Sequence, residues 1–74
     1  MINVRDKKLL KNFGIRLKEL RLKRDLSQEA LANEADVPIS QIGRIERGEV
    51  NATLSTLKRL ANALGVSMSE LVRF

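Results

Sequence analysis

Residues 27–48 read SQEALANEADVPISQIGRIERG, and the pattern within them decides the architecture. The hydroxyl of Ser27 can accept from the free N–H groups of a following first turn, so a helix is expected to open with Gln28 and Glu29. Leu31, Ala32 and Ala35 then recur at helical spacing and form one narrow apolar stripe. Pro38 cannot continue a helix but suits the start of the next, which places a tight connection around Asp36-Val37-Pro38. That turn needs a left-handed backbone, which Asp adopts less readily than Gly but better than most residues. In the second helix Ile42 and Ile45 make the apolar side, while the helical period groups Ser40, Gly43, Arg44 and Arg47 opposite. Gly48 supplies the stop. Two short helices at a sharp angle, the second turning small residues and arginines outward, describe a helix-turn-helix.

Outward from this unit the chain continues to read as helix. From Lys7 to Arg24, Leu10, Phe13, Leu17, Leu20 and Arg24 lie along one side, with Arg21 at the edge of that stripe and Asn3 or Asp6 as the expected cap. Ile15 and Leu22 project from the opposite side, either as ordinary exposed aliphatics or as a contact for a second subunit. Beyond Gly48, Thr53 is expected to cap a fourth helix whose buried stripe is Leu54, Leu57, Leu60, Ala61 and Leu64, ended by Gly65. Ser67 and Glu70 have the spacing of a capping box for a fifth, with Met68, Leu71 and Val72 packing inward. Phe74 either folds back on the core or meets a second subunit. The whole of 1–74 reads as one all-α domain of five helices, residues 1–6 forming either a basic arm or a frayed end.

A chain of 74 residues with 43% hydrophobic residues and only two Phe must be held by a small aliphatic core. It has no Cys and no His, which excludes disulfides and the usual zinc ligand sets, and no metal or other cofactor is expected. No apolar run approaches a membrane span and no signal pattern opens the chain, so a cytoplasmic location is expected. Fourteen Lys and Arg against nine acids give a net charge of +5, which attracts polyanions but equally fits a merely solvated surface. Catalysis finds no support: there is no glycine-rich phosphate loop, and the acids are interleaved with bases instead of paired in an apolar setting. No small-molecule ligand is evident either.

Leu26-Ser27-Gln28 with Leu31-Ala32, Ile42 with Arg44-Ile45-Glu46, Arg47-Gly48 and the later run Leu60-Ala61-Asn62-Ala63-Leu64-Gly65-Val66-Ser67 resemble the lambda-repressor/Cro-type family of DNA-binding domains. The resemblance spans roughly residues 13–72 and implies a compact lambda-repressor-like domain whose second and third helices form the motif. It also implies an ion pair between Arg21 and Glu46, shielded from water and pinning the first helix to the third instead of standing as two exposed charges, and a third helix that enters the major groove N-terminus first. Ile39, Ser40, Gly43 and Arg44 would then lie nearest the bases. Arg44 can donate twice to guanine O6 and N7, or instead bind a phosphate; Ile39 can pack on a thymine methyl or against the core. Ser40 reaches either target, and Gly43 can only permit a close backbone approach. By the same resemblance Ser27, Gln28, Gln41, Arg47 and Asn51 are phosphate contacts. Asp36 departs from the family, which usually has Gly at this turn.

These residues imply a sequence-specific double-stranded DNA-binding regulator of transcription, working as a homodimer on a palindrome, with Ile15, Leu22 and Phe74 as candidate subunit contacts. The alternative is a protein-interaction module that keeps the fold without reading bases, to which Gly43 and Ile39 lean. Arg44, Arg47, Gln28 and the basic balance lean towards DNA.

Overall fold

A computed structural model describes residues 6–74. Among these residues there are five helices: α1 Lys7–Lys23, α2 Gln28–Ala35, α3 Ile39–Glu46, α4 Leu54–Leu64 and α5 Met68–Leu71. The basic arm expected over residues 1–6 lies, except for Asp6, outside the described residues.

Each start has a local cause. Asp6, Ser27, Thr53 and Ser67 hold extended backbone and accept, respectively, from the N–H groups of Leu9, Ala30, Thr56 and Glu70. Ser67 and Glu70 complete a reciprocal capping box. Pro38 opens α3 without a side-chain bond, its fixed φ of −57° doing the work instead. The connection before it is built on Asp36, whose φ of 57° and ψ of 49° are left-handed as expected.

The core gathers Phe13, Leu17 and Leu20 of α1, Leu31 and Ala35 of α2, Ile42 and Ile45 of α3, Leu60 and Leu64 of α4, and Leu71 of α5. α1 packs on α3 and α5, α2 on α3 and α4, and α4 on α5, so the motif helices are held from both sides. Four expected core positions prove to lie outside it, among them Leu10, half-buried along a groove beside Phe13. Arg24 is exposed at the end of α1, its guanidinium lying beside Gly65 at the end of α4, and Arg21 is buried. Leu54 is 73% exposed, and the inward packing of α4 begins with Leu57. Val72 is about half exposed, since α5 ends at Leu71 and the chain turns away. Phe74 folds back in part: its ring centroid lies 6.3 Å from that of Phe13, yet it remains about half exposed.

Candidate nucleic-acid interface

α3 is only eight residues long, too short to persist alone, so its placement depends on what it packs against. Ile42 and Ile45 are fully buried, each contributing about 1.5–3 kcal/mol of apolar burial, and they fix which side faces inward. The opposite side is thereby turned out: Ile39 is 50% exposed, Ser40 and Arg44 are exposed, and Gln41 is half-buried. Arg44 makes no side-chain hydrogen bond or ion pair among the described residues. Gly43 is the exception to the expected pattern. It lies on the outward side but is buried, because the Arg47 side chain folds back over it.

Behind this face stands a polar cluster that joins three elements. Arg21 Nε and Nη2 donate to the two carboxylate oxygens of Glu46 at 2.6 and 3.0 Å. Its Nη1 donates to the Leu26 carbonyl at 2.8 Å, tying in the α1–α2 connection. Gln28 Nε2 donates to Glu46 Oε1 at 3.0 Å, so the start of α2 is bonded to the end of α3. The side chains of Arg21 and Glu46 are 9% and 5% exposed, and among the described residues no buried side-chain polar atom lacks a partner. Hydrogen bonding to Glu46 holds the Arg21 guanidinium above its usual basicity against the opposing effect of burial.

The backing is close as well as polar. A Cβ on Gly14 would stand 2.5 Å from the carbonyl oxygens of Ile45 and Glu46, so α1 rests directly on the last turn of α3. A glycine in mid-helix was the sequence signal for such an approach, since it weakens the helix unless something needs the space.

Around the face, Ser27 is exposed with its oxygen accepting from Ala30 N–H at 3.0 Å, its own hydroxyl hydrogen still free to donate. Gln28 retains its second amide hydrogen. Asn51 is exposed in the loop after α3, at the rim of an apolar groove of about 350 Å³ that includes Leu9, Phe13 and Phe74. Arg47 is exposed and paired with Glu49, its Nε and Nη2 donating to the carboxylate at 2.8 and 3.3 Å. This bond from Arg47 pulls the Glu49 carboxyl below its ordinary range, with the charges of Arg47 and Arg44 adding to it. Sequence spacing does not bring Glu49 to Arg47: residues two apart do not meet on a helix, and only the reversal at Gly48, φ 74°, brings the carboxylate back. Of the candidate subunit contacts, Ile15 and Phe74 share one concavity with Asn12, Arg16 and Glu19; Leu22 is exposed further along α1.

Among the described residues no cluster of acidic side chains could hold a metal ion, and no helix is long and apolar enough to cross a membrane. Residues 17–71 match the family HTH_3, described as helix-turn-helix. The chain is 40% identical over 63 residues to control protein C.BamHI of Bacillus amyloliquefaciens, covering 84% of this chain and 78% of that protein. It is 42% identical over 59 residues to the immunity repressor protein of Bacillus phage phi105, covering 80% of this chain but only 41% of the repressor. The crystal structure of the restriction-modification controller protein C.AhdI from Aeromonas hydrophila superposes with a TM-score of 0.82 at 44% identity, over 84% of this chain and 94% of that one. With the motif, the buried Arg21–Glu46 pair and these likenesses in agreement, the chain belongs to the HTH_3 family of Cro/C1-type helix-turn-helix domains, whose members are DNA-binding transcriptional regulators and not enzymes.

Proposed function

We propose that this protein is a sequence-specific regulator of transcription that binds a palindromic operator as a homodimer, acting in the cytoplasm with the DNA it controls. The observation that carries the reading is the two-sided character of α3: one side is held by Ile42, Ile45 and the Arg21–Glu46–Gln28 cluster, and the other presents Ile39, Ser40 and Arg44 to solvent. A rigidly backed short helix with an open, partly basic face suits entry into a major groove. Arg44 carries a fork of donors matched to guanine O6 and N7, Ile39 offers a thymine methyl a partner, and Ser40 reaches a base or a phosphate. Gly43 brings no side chain of its own to this face, and the Arg47 side chain lies over it. Ser27, Gln28, Gln41 and Asn51 hold phosphates and set the register. The control and repressor functions named for the relatives support the same reading.

A single module of this kind buries about 600–1,000 Å² on DNA, so useful selectivity calls for two copies on half-sites about 34 Å apart. Ile15, Leu22 and Phe74 are the proposed subunit contacts, being large, apolar and about half exposed.

Selection from random duplex DNA at about 0.15 M salt, where weak phosphate attraction is largely screened, tests the proposal. The expected result is an enriched palindrome in which Arg44→Lys relaxes one base pair per half-site. Salt-sensitive binding without enrichment would show an architectural role, and no binding at all would favour a module that meets proteins instead.

A further inference from the structure

The resemblance makes Arg47 a phosphate ligand, and its side chain runs back towards the start of α3 in the usual direction of a helical side chain. It folds back one turn, and its Nη1 lies 3.0 Å from where a Cβ of Gly43 would stand. With no side chain at residue 43 the guanidinium can lie directly against the helix; a Cβ there would push it out by a few tenths of an ångström. Gly43 occupies the middle of the outward side, one turn from Ser40 and next to Arg44, so the guanidinium sits where a base-reading side chain of residue 43 would otherwise project.

Its orientation is set as well as its place. Glu49 takes the side-on edge, Nε and Nη2. The guanidinium is planar with five donors in a fixed fork, so the end-on edge, Nη1 together with the second hydrogen of Nη2, is left pointing away from the carboxylate. That edge is the one able to donate twice to guanine O6 and N7. An exposed pair such as Arg47–Glu49 adds little to the stability of the fold. It also places an acid beside the face that would approach phosphates, which is unfavourable for affinity unless the acid serves another purpose.

Resting on the proposed DNA-binding function, we infer that Arg47 is a second base-reading arginine, seated on Gly43 and aimed by Glu49 as its positioning residue. The pair supplies to the recognition helix the readout that a glycine at position 43 cannot. A bound guanine completes the fork without displacing Glu49, and because the guanidinium is already held, less side-chain freedom is lost on contact.

The test is the same selection from random duplex DNA, run with the full chain, Arg44→Lys, Arg47→Lys, Glu49→Gln and Glu49→Ala. Thermal melting is recorded for each to establish that it folds. Lysine keeps the charge a phosphate needs but not the planar fork a guanine needs. The expected result is that Arg47→Lys lowers preference for one guanine about tenfold, in keeping with a lost bidentate pair. That guanine differs from the one lost in Arg44→Lys, and the rest of the palindrome is retained. Glu49→Ala should relax the same position as Arg47→Lys while binding all sequences somewhat more tightly, and Glu49→Gln, which still accepts one bond, should relax it less. An unchanged motif in Arg47→Lys, or an even loss over all sequences, would overturn the inference while leaving the regulator reading intact. A wild-type chain that enriches no motif would remove both.

Discussion

Arg21 and Glu46 show what a single pair of residues does here. Each is nearly removed from water, and each finds every strong donor or acceptor it needs: two parallel bonds between them, the Leu26 carbonyl for Arg21, the Gln28 amide for Glu46. Removing one partner strands a buried charge and should cost about 3–5 kcal/mol, a large share of the stability of a small domain. Removing both spares that penalty. A double-mutant cycle on Arg21→Ala and Glu46→Ala, followed by urea denaturation, should therefore show the double variant well short of the sum of the singles. Strict additivity would mean that the pair does not couple α1 to α3. The exposed pair Arg47–Glu49 behaves otherwise. The Glu49 carboxyl is held below its ordinary range by its bond from Arg47, so the pairing is present at neutral pH and fails as pH falls through that lowered value. Its loss should leave the melting temperature nearly unmoved, because both groups are already in water.

At the scale of elements, helix ends and one close approach position the motif. α1, α2, α3 and α4 all stop with the same paired backbone bonds, for example Leu26 N–H to Arg21 C=O with Asp25 N–H to Leu22 C=O, and Glu49 N–H to Arg44 C=O with Gly48 N–H to Ile45 C=O. The left-handed residue is Gly48 or Gly65 in two cases and Asp25 or Asp36 in the others. The aspartates tolerate this backbone less well than glycine, so the fold accepts some strain where α1 and α2 end. The contact of α1 with α3 is tighter still. Gly14→Ala would place a methyl group 2.5 Å from two backbone oxygens of α3, neither of which can swing aside. We expect a loss of about 1–3 kcal/mol or more, as for overpacking elsewhere, seen as a lower urea midpoint, and with it weaker binding to every DNA sequence. A neutral Gly14→Ala would show that α1 does not seat the recognition helix.

For the whole molecule the question is how two copies would meet. A net charge of +5 makes the monomers repel one another, and duplex DNA would relieve that repulsion while holding them together. The half-exposed Ile15, Leu22 and Phe74 are the apolar surface proposed for the contact. Ile15→Glu combined with Leu22→Glu should shift sedimentation towards the monomer and weaken binding to a full palindrome far more than to a half-site. If the association state is unchanged, the contact lies elsewhere, and the groove formed by Leu9, Phe13, Val72 and Phe74 is the next surface to test.

The amino-acid sequence by itself determined where helices begin and end and which residues of the motif face the core. Caps at Asp6, Ser27, Thr53 and Ser67, the proline before α3 and the spacing of Ile42 with Ile45 are local, since they act within a turn or two of chain. Membership of the family followed from the same short-range pattern. Only the tertiary structure decided that Arg24, Leu54 and Val72 stay outside the core, and that Gly14 gives α3 its seat. It also decided that Arg47 covers Gly43 under the hold of Glu49. Periodicity assigns a residue to a side of its own helix but carries no information about what another element, or a chain reversed at a glycine, brings against that side.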